Sequence, residues 1–376
     1  MDFSLNDDQT MLRDSIVQYL GKSYAFEKRM EVVDSSAGFS RDKWADFAEL
    51  GWLSLPFEEQ LDGFGGGPIE MMLLMQELGK GLVIEPYLAT VVLGGGCLAR
   101  GNNEKLRGSL IAKVMAGEIH LALAYAEAQS RFELAHVECR ATEASDGLLL
   151  DGEKIVVMNG AAADYLVVSA RTSGEQDDPN GITLFCIEAG RQGIERSSYK
   201  TVDGMEAAHI RFEGVRVDAS DQISARDEGL AILENVIRDA TLAVCSEALG
   251  IMEALTYKTI EYTKNRQQFG VPLSSFQALQ HRMVEMFMEL EQSRSLLLRA
   301  VIKCHEKAPD RAAAIAALKY YIGTAGRKLG EEAVQLHGGM GVTYEMDIAH
   351  YFKRLTVIDT LFGNSDYQMN RFVAAA

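Results

Sequence analysis

Two short stretches of the chain contain residue types that could hold a phosphate group. The first is NRQQFGVPLSSFQALQHR at residues 265–282, in which Arg266 and Phe269 precede a glycine. The second is EEAVQLHGGMGVTYE at residues 331–345, in which Gln335 is followed by a pair of glycines. The planar guanidinium of arginine can donate two parallel hydrogen bonds to phosphate oxygens, and glycine lets the main chain approach a ligand closely. Taken singly, these residues are also explained by a solvated charge at a helix end, core packing and a helix stop.

The composition is that of a globular protein. The 376 residues are 47% hydrophobic and 24% charged, which excludes a disordered chain and leaves room for about two or three domains. The formal net charge of −17 argues against nucleic acid as a partner, because phosphate backbones bind basic surfaces. A small anionic ligand stays open, because a few local arginines or lysines decide its binding.

The cysteines and the N-terminus suggest a cellular location. The five cysteines are odd in number, far apart and without metal-ligand spacing, so we expect reduced thiols and no metal site: Cys97, Cys139, Cys186, Cys245 and Cys304. The N-terminal MDFSLNDDQTMLRDS lacks the basic-then-apolar order of a signal peptide, and no apolar run approaches the roughly 18 residues of a membrane span. The sequence therefore predicts a soluble, cytoplasmic protein.

The hydrophobic pattern changes twice along the chain. Helical spacing predicts an N-terminal helical domain over residues 1–118. Short β-rich runs separated by Asp-Gly and Asn-Gly turns predict a β-domain over residues 119–225. Helical periodicity returns over residues 226–376, and we expect three long amphipathic segments there: 229–264, 275–306 and 309–335.

This order, together with the Arg-x-x-Phe-Gly and Gln-x-x-Gly-Gly-x-Gly motifs, resembles the acyl-CoA dehydrogenase family over nearly the whole chain. The resemblance implies an α+β fold with an N-terminal helical domain, a middle β-barrel and a C-terminal four-helix bundle. It also implies that FAD is the cofactor and that the reaction is α,β-dehydrogenation of an acyl-CoA thioester. In the family a base removes a proton, hydride passes to N5 of FAD, and electron-transfer flavoprotein reoxidises the flavin.

The resemblance also implies which residues contact FAD. In the family, the arginine and phenylalanine of the first motif contact the pyrophosphate and adenine side of an FAD that belongs mainly to a neighbouring subunit, and the second motif forms a further contact. By this match we predict nine cofactor-binding residues in this chain: Arg266, Gln268, Phe269, Leu273, Phe276, Gln335, Leu336, Gly338 and Gly339.

The side that faces the flavin departs from the family pattern. The family's Thr-Glu-Pro-x-x-Gly-Ser-Asp loop corresponds to AEAQSRFE at residues 126–133, where Ala126 and Phe132 replace the two hydroxyl residues. The family's Trp-x-Thr corresponds to Val156, Val157 and Met158. At roughly 1 kcal/mol for each lost contact, flavin affinity would fall more than about a hundredfold. Glu127 matches a glutamate that the family keeps for structural reasons.

The family's catalytic glutamate is also missing. Its two known positions fall on Phe362 and Ala240, so no catalytic residue is predicted at either. Asp239 lies next to Ala240, but one residue along a helix turns a side chain by about 100°. His337 is a possible base by residue type, although family members carry a histidine there without using it as one. Losing a general base costs about 10²- to 10⁴-fold in rate.

These losses suggest a subunit that works with another. Several stretches resemble the small subunits of pimeloyl-CoA dehydrogenases: AEAQSRFELAHVE, VVLGGG, FQALQHR and HYFKRLTVIDTLFGNSD. The resemblance implies a second acyl-CoA dehydrogenase subunit, most simply in a heterotetramer, that supplies the base and the flavin-facing loop. Two alternatives stay open: a self-sufficient homomeric enzyme with an unrecognised base, and a cofactor-free scaffold or acyl-CoA-binding subunit.

Overall fold

The fold follows the predicted order of helices, strands and helices. A computed structural model describes residues 4–35, 38–145 and 147–375. The N-terminal part contains α1 (Asp7–Ser23), α2 (Phe26–Val33), α3 (Arg41–Glu49), α4 (Pro68–Lys80), a π-helical segment (Leu88–Gly95) that continues into α5 (Gly96–Arg100), and α6 (Glu104–Met115). Helix α1 begins where the sequence provides a capping box, in which the Asn6 side chain accepts from the Gln9 N–H and the Gln9 side chain accepts from the Asn6 N–H.

The middle part is one seven-stranded sheet. Its strands are β1 (Leu121–Ala124), β2 (Arg140–Ala144), β3 (Gly147–Met158), β4 (Tyr165–Arg171), β5 (Ile182–Glu188), β6 (Ile194–Lys200) and β7 (Glu206–Val217). They are ordered β1-β4-β2-β3-β7-β6, with β5 paired to β4. Strand β4 pairs in parallel with β1 and β2, and the other pairings are antiparallel. The buried side chains of these strands form a shared apolar core, which includes Leu150, Leu166, Phe185 and Ile210.

The C-terminal part is helical. It contains α7 (Gly229–Asn265), a short hairpin of β8 (Gln267–Gln268) and β9 (Val271–Pro272), α8 (Gln277–His305), α9 (Arg311–His337), α10 (Asp347–Thr360) and α11 (Ser365–Ala375). The three long amphipathic segments predicted from the sequence correspond to α7, α8 and α9, with ends that differ by two residues or fewer. Helix α9 packs against α8, α10 and α11.

Contacts within the chain define two compact units whose bounds do not follow sequence order. Unit 1 comprises residues 1–31, 67–83 and 241–376, and unit 2 comprises residues 32–66 and 84–240. The N-terminal helices are therefore divided between the two units. The three-domain division by sequence order stays a prediction about domains, and it is not the division into compact units.

Unit 1 brings α4 into close contact with α7. A Cβ on Gly79 would lie 2.2 Å from the carbonyl oxygen of Glu247, and one on Gly250 would lie 1.9 Å from that of Gln76. Only glycine allows the two backbones to approach so closely. Nearby, Arg354 of α10 donates from Nε and Nη2 to the two carboxylate oxygens of Glu247 at 2.6 and 2.8 Å, and both side chains are buried.

Among the helices in the described ranges of the chain, none combines the length and apolar character needed to cross a bilayer.

Candidate cofactor-binding site

The first predicted motif forms an exposed hairpin after α7. Gln268 pairs with Val271, which leaves a two-residue loop of Phe269 and Gly270. Both loop residues have positive φ, +56° and +80°, as in a type I′ turn. Glycine or asparagine suits these positions, whereas a left-handed backbone costs a bulky L-residue about 1–2 kcal/mol. The Phe269 side chain is nevertheless 92% exposed. The hairpin therefore holds an aromatic ring in solvent at a cost in backbone strain.

Arg266 lies at the base of this hairpin. Its main chain is fixed, because its N–H donates to Tyr262 O at 2.8 Å and its carbonyl accepts from Leu273 N–H at 2.9 Å. Within the described parts of the chain, its guanidinium forms no ion pair or hydrogen bond, and the side chain is exposed. Because the backbone of Arg266 is fixed and its guanidinium is not used within the described chain, the guanidinium can bind the anionic group of a ligand.

The other predicted residues of this motif lie beside the loop. The Phe269 ring meets the Phe276 ring edge to face, with centroids 6.2 Å apart and planes at 88°. Leu273 and Phe276 are half-buried. Gln268 is exposed, and its amide donates to the Gln267 carbonyl at 2.8 Å. The structure thus brings the five predicted residues of the first motif together on one surface of unit 1.

The second predicted motif forms the end of α9 and the turn after it. Gln335 is exposed, and so are Gly338 and Gly339. Gly338 has φ +60° and ψ −140°, a conformation that is essentially restricted to glycine. A Cβ on either glycine would have no atom of the described chain within 4 Å. This exposed main chain has room for a ligand to approach closely, and cofactor contact at Gly338 and Gly339 stays a prediction.

Leu336 differs from the other predicted residues of this motif because its side chain is buried. Its side chain is only 5% exposed and belongs to the core of unit 1. The physical reason is helical geometry, because one residue along a helix turns the side chain by about 100° away from exposed Gln335. Only the main chain of Leu336 could contact a ligand.

Tyr262 and His337 connect the two motifs, and the sequence interpretation missed Tyr262. Their rings stack with centroids 4.2 Å apart and planes at 27°. The Tyr262 hydroxyl also donates to the His337 carbonyl at 3.3 Å. His337 is buried, its Nδ1 donates to Ala333 O at 2.8 Å, and burial lowers its pKa. These contacts make His337 a packing residue beside the glycine turn.

Two further contacts support this end of the bundle. Thr263 of α7 donates from its hydroxyl to the Met283 sulfur of α8 at 3.2 Å. Arg282 of α8 donates from Nε to the Glu332 carboxylate of α9 at 2.5 Å. The ends of α7, α8 and α9 are therefore joined pairwise, and the two motifs belong to one surface.

The loop that corresponds to the family's flavin-facing loop lies in unit 2 and is held rigidly. Glu127 accepts hydrogen bonds from Lys154 Nζ at 2.7 Å and from the N–H groups of Glu138 and Cys139 at 2.8 and 3.1 Å. Both charged side chains are buried. Arg171 donates to main-chain carbonyls just after this loop, Ala135 O and Val137 O at 2.7 and 3.1 Å. Glu127 thus has the structural surroundings expected for it.

A strained bulge lies beside this loop. The pairing of β3 with β7 shifts register between Lys154 and Val157, and Val156 has φ +50° and is 43% exposed. A β-branched residue with positive φ is a genuine outlier. The Ile155 N–H donates to Ala126 O at 2.9 Å, so the two segments that correspond to the family's flavin contacts are adjacent. At the positions that match those contacts, the side chains here are apolar: Ala126, Phe132, Val156 and Met158.

The two family positions for the catalytic base are buried and apolar. Ala240 is fully buried on α7. Its neighbour Asp239 forms an ion pair with Arg100 at the end of α5. Phe362 is 5% exposed and has φ +57° in the turn between α10 and α11. Neither Ala240 nor Phe362 can accept a proton.

The turn that contains Phe362 is held by a buried lysine. Lys319 Nζ donates to the carbonyls of Asp359 and Gly363 at 2.9 and 3.0 Å, and burial lowers its pKa. Gln368 Nε2 donates to the Phe362 carbonyl at 2.8 Å. The backbone of the turn is therefore well supported even though its family carboxylate is missing.

Family models cover nearly the whole chain. They match the acyl-CoA dehydrogenase N-terminal domain at residues 6–118, the middle domain at residues 122–215 and the C-terminal domain at residues 227–376. The chain therefore belongs to the acyl-CoA dehydrogenase family. This confirms the predicted fold class and the family resemblance.

Individual relatives are distant in sequence but cover the full length. A probable acyl-CoA dehydrogenase of Bacillus subtilis, YngJ, is 27% identical over 374 residues, which cover 98% of this chain and 97% of that protein. The solved ChsE4-ChsE5 complex from Mycobacterium tuberculosis matches with a TM-score of 0.89 and 25% identity, over 100% of this chain and 98% of the matched one. The FAD complex of PigA matches with a TM-score of 0.91 and 24% identity, over 100% of this chain and 98% of that one.

Proposed function

We propose that this chain is the base-lacking subunit of a heteromeric, FAD-dependent acyl-CoA dehydrogenase. It would contribute the phosphate side of an FAD site whose base and flavin-facing loop come from a second subunit of the same family. One observation carries the proposal. The same hairpin exposes Phe269 on a strained backbone and an Arg266 guanidinium that has no partner in the described chain. The apolar base positions explain why a second subunit is needed.

We call Arg266, Phe269, Gly338 and Gly339 the FAD clamp. These residues fit the phosphate-bearing half of FAD. Arg266 would bind pyrophosphate oxygens, Phe269 would cover the adenine side, and the main chain at Gly338 and Gly339 would lie against the cofactor. Burying the Phe269 ring against FAD and the second subunit would offset the strain of its backbone, because fully burying such a ring contributes about 1.5–3 kcal/mol. When bound, FAD supplies the hydride acceptor of α,β-dehydrogenation.

The flavin-facing segments of this chain do not fit the isoalloxazine in the family manner. Ala126, Phe132 and Val156 offer neither hydroxyl donors nor an indole. A site built from the Arg266 clamp of this chain and an intact loop of another subunit would avoid that defect. The ChsE4-ChsE5 complex, described as a complex of two named chains, supports a mixed assembly in this fold.

The substrate of the complex is proposed only as an acyl-CoA thioester. Among heteromeric enzymes we place the chain with the small subunits of pimeloyl-CoA dehydrogenases, on the resemblance of AEAQSRFELAHVE and HYFKRLTVIDTLFGNSD. Electron-transfer flavoprotein would reoxidise the complex, as in the family. We further propose a cytoplasmic location.

Activity and cofactor binding test the proposal separately. The isolated chain should show little or no ferrocenium reduction with a panel of acyl-CoA thioesters, and turnover within about tenfold of a typical family enzyme contradicts a base-lacking subunit. In the complex purified from its host, Arg266→Ala should weaken FAD binding by about 2–3 kcal/mol, the range for truncating a charged hydrogen-bonding group at a desolvated site. Unchanged FAD affinity in that variant would contradict the assignment of Arg266 to the FAD clamp.

Arg282→Ala is a suitable control for the clamp variant. It removes another arginine close to the same surface, but one that is already paired with Glu332. We expect it to lower stability without a specific loss of FAD. The visible spectrum of the isolated chain adds a further test, because a full flavin complement on the chain alone favours the self-sufficient homomeric enzyme.

A further inference from the structure

The two motifs of the proposed clamp are connected through one residue, Tyr262, by its main chain on one side and its side chain on the other. It lies one helical turn before Arg266, whose N–H donates to the Tyr262 carbonyl at 2.8 Å. Its hydroxyl donates to the His337 carbonyl at 3.3 Å, and its ring stacks on the His337 ring at 4.2 Å. Tyr262 therefore contacts Arg266 through its main chain, and through its side chain it contacts His337, the residue before the glycine turn.

His337 makes this connection stiff. Its ring is buried and its Nδ1 donates to Ala333 O at 2.8 Å, so the imidazole has one orientation. The next residue, Gly338, has a backbone conformation that is essentially restricted to glycine. A shift of the His337 carbonyl would therefore move the main chain at Gly338 and Gly339 directly.

We infer that Tyr262 is the positioning residue of the FAD clamp, holding the Arg266 hairpin and the Gly338–Gly339 turn in one arrangement through His337. This inference rests on the proposed function and adds a residue to it. Tyr262 need not touch FAD; it acts by fixing the two elements that do. A rigid supporting contact of this kind keeps binding groups within the small tolerance that productive geometry requires.

The neighbouring contacts cannot fill the same role. Thr263 joins α7 to α8 through Met283, and Arg282 joins α8 to α9 through Glu332. Neither pair reaches a main-chain group beside the glycine turn. If the end of the bundle only needed packing, removing the Tyr262 hydroxyl would change stability but not FAD binding.

The test compares three tyrosine variants in the complex that contains this chain. Tyr262→Phe removes the hydroxyl and keeps the ring, and Tyr262→Leu removes the ring as well. The matched control is Tyr321→Phe, because the Tyr321 hydroxyl donates to Glu289 at 2.7 Å between α9 and α8 of the same unit. FAD affinity is measured by titrating the deflavinated complex with FAD, and thermal stability is measured on the same samples.

We expect Tyr262→Phe to raise the FAD dissociation constant by roughly three- to tenfold, the factor that one neutral hydrogen bond contributes. Tyr262→Leu should raise it further, and Tyr321→Phe should leave it unchanged while lowering the melting temperature comparably. If both Tyr262 variants bind FAD like the control, Tyr262 is only a packing residue. Arg266→Ala in the same assay separates the two ideas, because unchanged binding there defeats the proposed clamp itself.

Amide hydrogen exchange of the isolated chain provides a second readout that needs no partner. Tyr262→Leu should accelerate exchange both in the hairpin, residues 267–272, and in the turn, residues 338–342. Tyr321→Phe should leave exchange in both segments unchanged. Faster exchange in only one of the two segments would overturn the connection, because a positioning residue that joins them must loosen both.

Discussion

Replacing Phe269 with asparagine should have opposite effects on the isolated chain and on the assembled enzyme. Asparagine adopts positive φ more readily than phenylalanine, so Phe269→Asn relieves part of the approximately 1–2 kcal/mol of strain at φ +56°. Little burial is lost, because the ring is 92% exposed in the isolated chain. The edge contact with Phe276 contributes at most about 0.5–1.5 kcal/mol. We expect the free energy of unfolding to stay the same or to rise by about 1 kcal/mol.

In the complex the same substitution should weaken FAD retention. Burying a phenylalanine side chain contributes about 1.5–3 kcal/mol, so its loss corresponds to roughly ten- to a hundredfold in affinity. Urea unfolding of the isolated chain measures the first effect, and FAD remaining after gel filtration of the complex measures the second. Val202→Asn is the control, because Val202 is 62% exposed in a turn of ordinary φ in unit 2.

Two results would refute this reasoning. Destabilisation of the isolated chain by clearly more than 1 kcal/mol would mean that the Phe269 ring is part of the core. Normal FAD retention by the variant complex would mean that the ring has no role at the cofactor.

Two further predictions concern the fold of unit 1. Arg354→Ala should destabilise the isolated chain by about 3–5 kcal/mol in urea unfolding, because it leaves the buried Glu247 carboxylate without its bidentate partner. The double variant Glu247→Gln with Arg354→Met should recover most of this loss. A double variant that is equally unstable would contradict the explanation. Burial lowers the pKa of His337, so the imidazole resists protonation in the folded state. Its contribution to stability is therefore present above the pKa of an unfolded histidine, about 6.5, and is lost as the pH falls below that pKa. The free energy of unfolding of His337→Gln should therefore fall less steeply between about pH 7 and pH 5 than that of the wild type. The remaining slope is due in part to His120 and His350, whose pKa values are also lowered. Identical slopes would exclude His337 from this effect.

The sequence predicted the elements well because its periodic pattern reports local structure. The long helices α7, α8 and α9 each contain an apolar stripe, and the strand runs of β4 and β5 are almost continuously buried. The motif at Arg266 and Phe269 was also recognisable, because it is contiguous in the chain. Its exposure and its geometry were not, since they depend on the turn conformation that the fold imposes.

Features made by residues distant in the chain could not be predicted from the sequence. Tyr262 and His337 are 75 residues apart, and nothing in either local pattern indicates that they stack. The same holds for the Glu127–Lys154 pair and for the main-chain carbonyls bound by Arg171. Val156 and Phe362 look like ordinary apolar residues in the sequence, and their positive φ values follow from a bulge and a turn that tertiary contacts hold in place.

The division of labour between unlike subunits is the central claim, and counting FAD tests it most directly. The complex is purified from its host without denaturation, its chains are quantified, and FAD is released by denaturing extraction and measured by absorbance. A site that combines the Arg266 clamp of this chain with the flavin-facing loop of another should give one FAD for each pair of unlike chains. One FAD for every chain would contradict the account, because the loop at residues 126–133 would then support a complete flavin site of its own.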